Sequence, residues 1–422
     1  MSLKVWCLST VLLSLVCVPD LDAADWPRFR GPAGAGVSLE TGLPVEWSAT
    51  RNVAWKAPLP GPGASSPIVL GGRVFLTSYD GYGVSETSPG KPDDLERRVL
   101  CLDREDGRVL WNKKVKSVLP AQPYEGFLTE HGFASSTPAC DGERLYVFFG
   151  RSGLLAFDLD GRQLWQADLG SGKNGWGSAT SPVLYDDLVI VNAFVESRSL
   201  VGVNKTTGEI AWRLEGLARS WSTPALVETA AGKTELVISM QGALWGVDPK
   251  SGKRLWTCRG IDDYVCPSLV ASDGVVFAIG GRRGAALAVR AGGRGEVSDS
   301  HLVWEAKAGS NVPSPVFYNG HLYWVDHRGL AYCLDAATGE IVYRQRLPQA
   351  GRVYASVIEA DGRLYAVTRE RGTFVIAARP QFELLAHNDL SPDASLFNAS
   401  PAVSGGHLFL RSNEALYCIG PK

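Results

Sequence analysis

Short apolar runs alternate with polar turns along most of the chain, and together they form a unit that recurs from about residue 47 to residue 420. Each unit opens with small polar residues and a proline, followed by an apolar strand, a glycine turn and a second apolar strand. A third strand ends in Asp or Asn, and a fourth ends in an aromatic residue. Short strands at even spacing are typical of antiparallel all-β proteins. The pattern therefore predicts four strands per unit.

The second half of the unit has a fixed spacing, in which glycine follows the Asp or Asn by four residues and the aromatic follows glycine by four. The copies are Asp103–Gly107–Trp111, Asn204–Gly208–Trp212, Asp248–Gly252–Trp256 and Asp335–Gly339–Tyr343. Asp and Asn side chains cap turns through nearby backbone, and glycine accepts the positive φ that closes a hairpin. The spacing therefore places each aromatic where it can pack against the next sheet.

Eight unit openings can be counted along the chain. They are Ser66-Pro67, Thr137-Pro138, Ser181-Pro182, Thr223-Pro224, Cys266-Pro267, Ser314-Pro315, Ser356-Val357 and Ser400-Pro401. The last unit lacks its fourth strand, and residues 52–56 resemble an orphan fourth strand that would supply it. Units of this length are typical of propeller blades. We predict an all-β, eight-bladed β-propeller of four-stranded antiparallel blades, closed by the N-terminal strand. Seven blades is the alternative, because the unit from Tyr354 to Ala386 is degenerate.

The N-terminus has the pattern of an export signal. Lys4 precedes an apolar run from Val5 to Val18, which is short for a membrane span. We expect residues 1–24 to be a signal peptide, residues 25–46 an N-terminal extension and residues 47–422 the propeller. The mature chain is expected to be periplasmic or secreted and to lack a transmembrane span. Val16 before Cys17 argues against a lipoprotein.

Composition and charge narrow the function classes. The 422 residues include 42 basic and 44 acidic side chains, for a formal net charge of -2. This balance argues against nucleic-acid binding, which requires a basic face. Six cysteines follow the predicted signal peptide, and Cys101, Cys333 and Cys418 share one small-residue position of the repeat. Only Cys258 and Cys266 are close in sequence, and whether they form a disulfide stays open.

The spacing Asp-x-x-x-Gly-x-x-x-Trp, seen at Asp103, Gly107 and Trp111, resembles the pyrroloquinoline-quinone (PQQ) repeat. That repeat occurs in quinoprotein alcohol dehydrogenases and in BamB-type outer-membrane assembly factors. The start of the mature chain, residues 25–32, resembles exported PQQ-repeat proteins of planctomycete-type bacteria. The resemblance covers about residues 47–420 and implies the propeller fold.

For the dehydrogenases, the resemblance implies PQQ with Ca²⁺, an adjacent cysteine pair beside the quinone and an Asp base. This chain has no adjacent cysteines and no matching Glu, Asn and Asp cluster. The sequence therefore favours a non-catalytic binding or scaffold module with no assigned catalytic or metal-binding residues. A PQQ-dependent dehydrogenase and a carbohydrate-binding or carbohydrate-active propeller remain the alternatives.

A binding site is expected at the mouth of the central channel, which the first strand of each blade lines. The residues just before the openings are Ser65, His131, Trp176, Trp221, Asp263, Tyr264, Asn311, Tyr354 and Asn398. Aromatic rings with a few hydrogen-bonding groups suit a flat or sugar-like ligand. The alternative is that Trp221, Tyr264 and Tyr354 plug the channel.

Two segments depart furthest from the repeat, residues 79–98 and 117–134. Long loops on a rigid scaffold often carry function, although solvated spacers look the same in sequence. The expected partner is an envelope protein, or else a small or carbohydrate ligand.

Overall fold

The computed structural model describes residues 25–421, which form eight antiparallel sheets arranged as an eight-bladed β-propeller. The prediction of eight four-stranded blades is confirmed, and the degenerate unit after Tyr354 forms a complete blade. The predicted signal peptide, residues 1–24, lies outside the described residues. No helix of residues 25–421 is both long and apolar enough to cross a membrane.

The first four blades follow the chain in order, from the channel outward. Blade 1 contains Ile68–Leu70, Arg73–Asp80, Glu96–Asp103 and Val109–Lys116. Blade 2 contains Ala139–Cys140, Arg144–Phe148, Leu154–Asp158 and Gln163–Ala167. Blade 3 contains Val183–Tyr185, Leu188–Ala193, Ser199–Asn204 and Ile210–Glu215. Blade 4 contains Ala225–Glu228, Thr234–Met240, Ala243–Val247 and Arg254–Arg259, with Gly295–Glu296 added in parallel to its outer edge.

The remaining blades repeat this order until the ring closes. Blade 5 contains Val270–Ser272, Val275–Gly280, Ala285–Arg290 and Leu302–Ala306. Blade 6 contains Val316–Tyr318, His321–Val325, Leu330–Asp335 and Ile341–Arg346. Blade 7 contains Ile358–Ala360, Arg363–Val367, Thr373–Ala377 and Leu384–Asn388. Blade 8 contains Ala402–Ser404, His407–Arg411, Ala415–Ile419 and, from the N-terminus, Val53–Pro58.

Within residues 25–421, helical structure is confined to short turns between strands. The 3-10 turns are Pro92–Asp94, Gly126–Glu130 and Gly150–Ser152, and the α-helical turns are Phe194–Ser197 and Ser298–His301. The hydrophobic core lies between neighbouring blades, where apolar side chains of facing sheets interdigitate. The cluster that joins blades 7, 8 and 1 includes residues of the closing strand, so the ring is sealed by the same packing.

The Asp-x-x-x-Gly spacing has the structure that the sequence predicts. Asp103 Oδ1 accepts a hydrogen bond of 2.8 Å from the Glu105 N–H, and Gly107 has φ of +74°. A β-bulge between Cys101 and Leu102 places Trp111 opposite the small residue Cys101. The Trp111 indole N–H then donates to Leu159 O in the turn of blade 2, at 2.9 Å. The equivalent tryptophans of blades 2, 3, 5 and 8 join their blades to the next in the same way, whereas the Trp256 indole N–H donates to Glu235 of its own blade.

The N-terminal residues cross the end of the propeller toward which the innermost strands run. Trp26 is buried and forms an isolated bridge to Val69 of blade 1. Val37–Ser38 pairs in parallel with the innermost strand of blade 7. The segment therefore spans the ring from blade 1 to blade 7.

Candidate functional site

Eight hydroxyl-bearing residues, one at the start of each innermost strand, form a ring around the propeller axis. They are Ser66, Thr137, Ser181, Thr223, Ser268, Ser314, Ser356 and Ser400. At seven blade-to-blade steps, the backbone N–H of one ring residue donates to the hydroxyl oxygen of the next, at 2.9–3.1 Å. These bonds explain why small polar residues open every unit.

One of the eight predicted unit openings is shifted by two residues in the structure. In blade 5 the ring residue is Ser268, which lies after Pro267, and not Cys266. Cys266 instead lines the channel two residues earlier, where other blades carry residues such as Ala64 and Tyr354. It is a free thiol, as is Cys258 in the fourth strand of blade 4. The proline marked this opening, but the hydroxyl fixes the register.

An axial cavity of about 170 Å³ lies inside the hydroxyl ring. Phe29, from the N-terminal segment, lines the end of the cavity toward which the innermost strands run. Phe127, Glu130, His131 and Trp176 line its other end. The cavity is thus bounded by loop residues at both ends and by all eight blades around its wall.

Six of the nine predicted site residues line this cavity. They are His131, Trp176, Trp221, Asn311, Tyr354 and Asn398. The other three do not line the cavity. Ser65 is buried against Thr77 and Arg411, Asp263 Oδ2 accepts from the Arg282 N–H at 2.8 Å, and the Tyr264 hydroxyl donates to Asn311.

The aromatic residues pack on one another at the loop end of the cavity. The Trp176 ring centroid lies 4.8 Å from that of Trp221 and 4.4 Å from that of Tyr264. The Trp221 indole N–H donates to Gly177 O at 2.8 Å, and both Trp221 and Tyr264 are buried. Phe127 contacts Trp176 edge-on at 4.8 Å and is 48% exposed. Trp221 and Tyr264 therefore support the cluster, while Phe127 presents it to solvent.

His131 orders this cluster. Its Nε2 lies 2.7 Å from Trp176 O and its Nδ1 lies 2.5 Å from the Ser135 hydroxyl. A carbonyl can only accept, so Nε2 carries the proton and Nδ1 accepts from Ser135. Burial lowers the pKa of His131, which favours this neutral form. Both ring nitrogens are used, so His131 positions the Trp176 backbone.

Glu130 is the carboxylate on the cavity wall, and it is paired with two arginines of a distant part of the chain. Its oxygens contact Arg352 at 2.9 Å and Arg369 at 2.5 Å. Burial raises the pKa of Glu130, but the two guanidinium groups together hold that pKa below its usual value. Arg369 is 1% exposed and stacks on the Tyr354 ring at 4.4 Å.

Sequence reasoning missed several cavity residues. They are Phe29, Phe127, Glu130 and Ser135 on the wall, with Arg369 behind Glu130. The repeat gives no signal for them, because Phe127, Glu130 and Ser135 lie in or beside an irregular loop. Glu130 and Arg369 are 239 residues apart, so their pairing depends on the closed ring.

The cavity residues do not fit the PQQ and Ca²⁺ site that the dehydrogenase resemblance implies. Within residues 25–421, no group of three or more His, Cys, Asp and Glu side chains is arranged to hold a metal ion. Glu130 is already neutralised by Arg352 and Arg369. Cys266 lines the wall without an adjacent cysteine.

A family model described as outer membrane protein assembly factor BamB matches residues 95–301 and 296–388. These ranges span well over half of the chain. The chain belongs to this family of PQQ-repeat propellers. The matched region runs from the third strand of blade 1 to the end of blade 7. The family assignment thus agrees with the resemblance carried by the Asp-x-x-x-Gly-x-x-x-Trp spacing.

Two solved structures, with TM-scores above 0.5, share the fold of this PQQ-repeat propeller at low sequence identity. BamB from Moraxella catarrhalis is 13% identical, with a TM-score of 0.62 over 87% of this chain and 96% of that chain. The computationally designed Ika8 protein is 12% identical, with a TM-score of 0.59 over 87% and 100%. A europium-containing methanol dehydrogenase is 11% identical, with a TM-score of 0.44 over 85% and 90%. No curated protein sequence matches the chain significantly.

Proposed function

We propose that this chain is an exported, non-catalytic propeller of the cell envelope that binds a protein partner through the face carrying its two long loops. The family description names an outer-membrane assembly factor, a role that depends on protein contacts in the envelope. The predicted signal peptide at residues 1–24 supports a periplasmic or secreted location.

The observation that carries this proposal is the convergence of the two long loops at one end of the cavity. The backbone N–H of Tyr124 donates to the Tyr82 hydroxyl at 2.8 Å, and Phe133 packs on the Tyr82 ring at 5.6 Å. Leu128, from the second loop, donates its N–H to Gly175 O beside Trp176 at 3.1 Å. The loops therefore form one surface continuous with the cavity mouth.

Exposed apolar side chains on these loops give the surface a docking character. Val84 is 54% exposed and Val118 is 65% exposed, and each lies on a different loop. Together with Phe127, they place large apolar groups on loops that otherwise depart from the repeat. Exposed apolar groups beside polar residues are typical of protein interaction sites.

Site-specific cross-linking tests this surface. A photoreactive amino acid replaces Val118 in one variant and Leu164, on the outer strand of blade 2, in a control. We expect a discrete adduct with an envelope protein from position 118 and none from position 164. Equal labelling from both positions, or none from 118, would contradict the proposed docking face.

A titration of the purified protein with PQQ and Ca²⁺, followed by tryptophan fluorescence, tests the enzymatic alternative. We expect no saturable quenching, because the cavity residues do not fit that cofactor pair. Saturable quenching at micromolar PQQ would instead favour a quinoprotein dehydrogenase. Saturable quenching by a soluble oligosaccharide, without a cross-linked adduct, would favour a carbohydrate-binding propeller.

A further inference from the structure

The Gly126–Glu130 turn, named here the latch segment, lies across the cavity mouth in a groove built by other blades. Its Phe127 ring packs on Trp176, and its Leu128 is buried with its N–H bonded to Gly175 O. On the far side, Asn398 Nδ2 donates to Glu130 O at 2.9 Å. The segment is therefore held at its aromatic, aliphatic and acidic residues by parts of the chain outside its own loop.

The acidic end of this groove is a built receptor for a carboxylate. Arg369 is almost fully buried, and within the described residues Glu130 is the carboxylate that pairs with it. Its Nε and the buried Asn398 Oδ1 have no hydrogen-bond partner among residues 25–421. A buried guanidinium left without a counterion is strongly unfavourable. If the latch segment leaves the groove, another carboxylate must therefore take the place of Glu130.

The apolar end of the groove is formed by the loop between blades 2 and 3. A methyl group at Gly177 would lie 2.6 Å from Leu128 Cδ1, so the Leu128 side chain packs directly on the Gly177 backbone. Trp176, whose backbone is positioned by His131, supplies the flat surface on which Phe127 packs. This end is suited to an aromatic and an aliphatic side chain in succession.

We propose that the latch segment is a built-in copy of the ligand, and that this groove binds a partner peptide in which an aromatic-aliphatic pair precedes an acidic residue by two positions. The inference rests on the proposed docking face and names the chemistry that it recognises. In the free protein the groove is occupied by residues 126–130. Partner binding replaces Phe127, Leu128 and Glu130 with equivalent side chains of the partner.

The latch segment competes with any free peptide for the groove, and this competition determines the affinity that a binding experiment measures. A tethered segment has an effective concentration on the order of millimolar, so a free peptide of the same sequence binds the intact protein weakly. Weakening the latch segment by Glu130→Gln removes the charge that pairs with Arg369. The same change should therefore open the groove to a free peptide that still carries its glutamate.

The test uses a fluorescent peptide with the sequence of residues 124–132, YEGFLTEHG, added to the exported chain, residues 25–422. A second peptide has glutamine at the position of Glu130. We expect Glu130→Gln protein to bind the first peptide at least tenfold more tightly than the unmodified protein does, as measured by anisotropy. The second peptide should bind that variant at least tenfold more weakly than the first. Glu125→Gln, an exposed glutamate of the same loop, should behave as the unmodified protein.

Each further outcome decides the proposal. Phe127→Ala loosens the apolar end and keeps the ion pair, so it replaces Glu130→Gln if circular dichroism shows that variant to be unfolded. A folded variant that binds neither peptide, or binds both equally, would overturn the inference, as would full competition by millimolar acetate alone. Cross-linking from Val118 without peptide binding would refute this peptide mode and leave the docking face intact. Peptide binding without a cross-linked adduct would instead refute the proposed partner.

Discussion

At the residue scale, the spacing of the repeat follows from how one tryptophan contacts the next blade. The Trp165 indole N–H donates to Lys205 O at 2.9 Å, and its ring covers Gly208. A Cβ at Gly208 would lie 2.7 Å from Trp165 Cδ2. Glycine is therefore required there for two reasons, its φ of +76° and the closeness of the indole.

These two reasons can be separated by comparing two glycines with the same φ. Gly320 also has φ of +76°, but a Cβ added there would meet no atom within 4 Å. We expect Gly320→Ala to lower the free energy of unfolding by about 1 kcal/mol, because of the positive φ alone. Gly208→Ala should lower it by about 1–3 kcal/mol more than Gly320→Ala does, because its Cβ would also overpack against the Trp165 indole. Urea denaturation followed by far-UV circular dichroism measures both. Equal losses would show that the indole contact adds nothing to the requirement.

At the element scale, the ring of hydroxyls joins the innermost strands, which do not pair with each other as a sheet. Ser314 Oγ accepts the N–H of Ser268 at 2.9 Å, and its own N–H donates to Ser356 Oγ at 3.0 Å. The innermost strands are only two to four residues long, so each has few other contacts that could set its position. The ring bonds therefore fix how far each blade is displaced along the propeller axis relative to the next. They also hold the channel-lining residues in register.

A substitution in this ring should lower the free energy of unfolding when it removes a hydroxyl that accepts a backbone N–H. We expect Ser314→Ala to destabilise the protein by about 1–3 kcal/mol, because it leaves the Ser268 N–H without its partner. Ser314→Thr should be tolerated, since Thr137 and Thr223 occupy equivalent positions. Ser310→Ala provides the control, because Ser310 Oγ is buried without a hydrogen-bond partner in the described region. If Ser310→Ala costs as much as Ser314→Ala in urea denaturation, the ring bonds do not explain the loss.

At the scale of the whole molecule, the architecture is predictable and the site is predictable in part. The repeat predicts eight blades because most of them reuse the same turn and tryptophan contact, and even the unit after Tyr354, which lacks both, keeps enough apolar strands to form a blade. Trp176, Tyr354 and Asn398 were expected at the channel on the same basis. Glu130 and Arg369 were not, because their contact joins an irregular loop to a blade 239 residues away.

Stability of the whole propeller should depend on pH through two buried carboxyl groups, Glu196 and Glu359, which do not line the cavity. Burial raises the pKa of Glu196 to about 7, despite the Ser178 hydrogen bond and the charge of Arg151. Burial likewise raises the pKa of Glu359 to about 7, with Asp361 adding to the shift. In the unfolded chain both groups have pKa values of about 4.3.

The sign of the effect follows from which state holds the protons. Between about pH 4.5 and 7, unfolded molecules have released these protons and folded molecules have not, so stability falls as pH rises and levels off above pH 7. We expect Glu196→Gln to raise the free energy of unfolding by about 2–3 kcal/mol at pH 8 and to change it little at pH 4.5, because the amide removes the cost of a buried charge. Urea denaturation at the two pH values measures this difference, and Glu228→Gln, at an exposed glutamate, should show none. A gain of the same size at both pH values would contradict this prediction, because it would mean that Glu196 carries its charge in the folded protein even at pH 4.5.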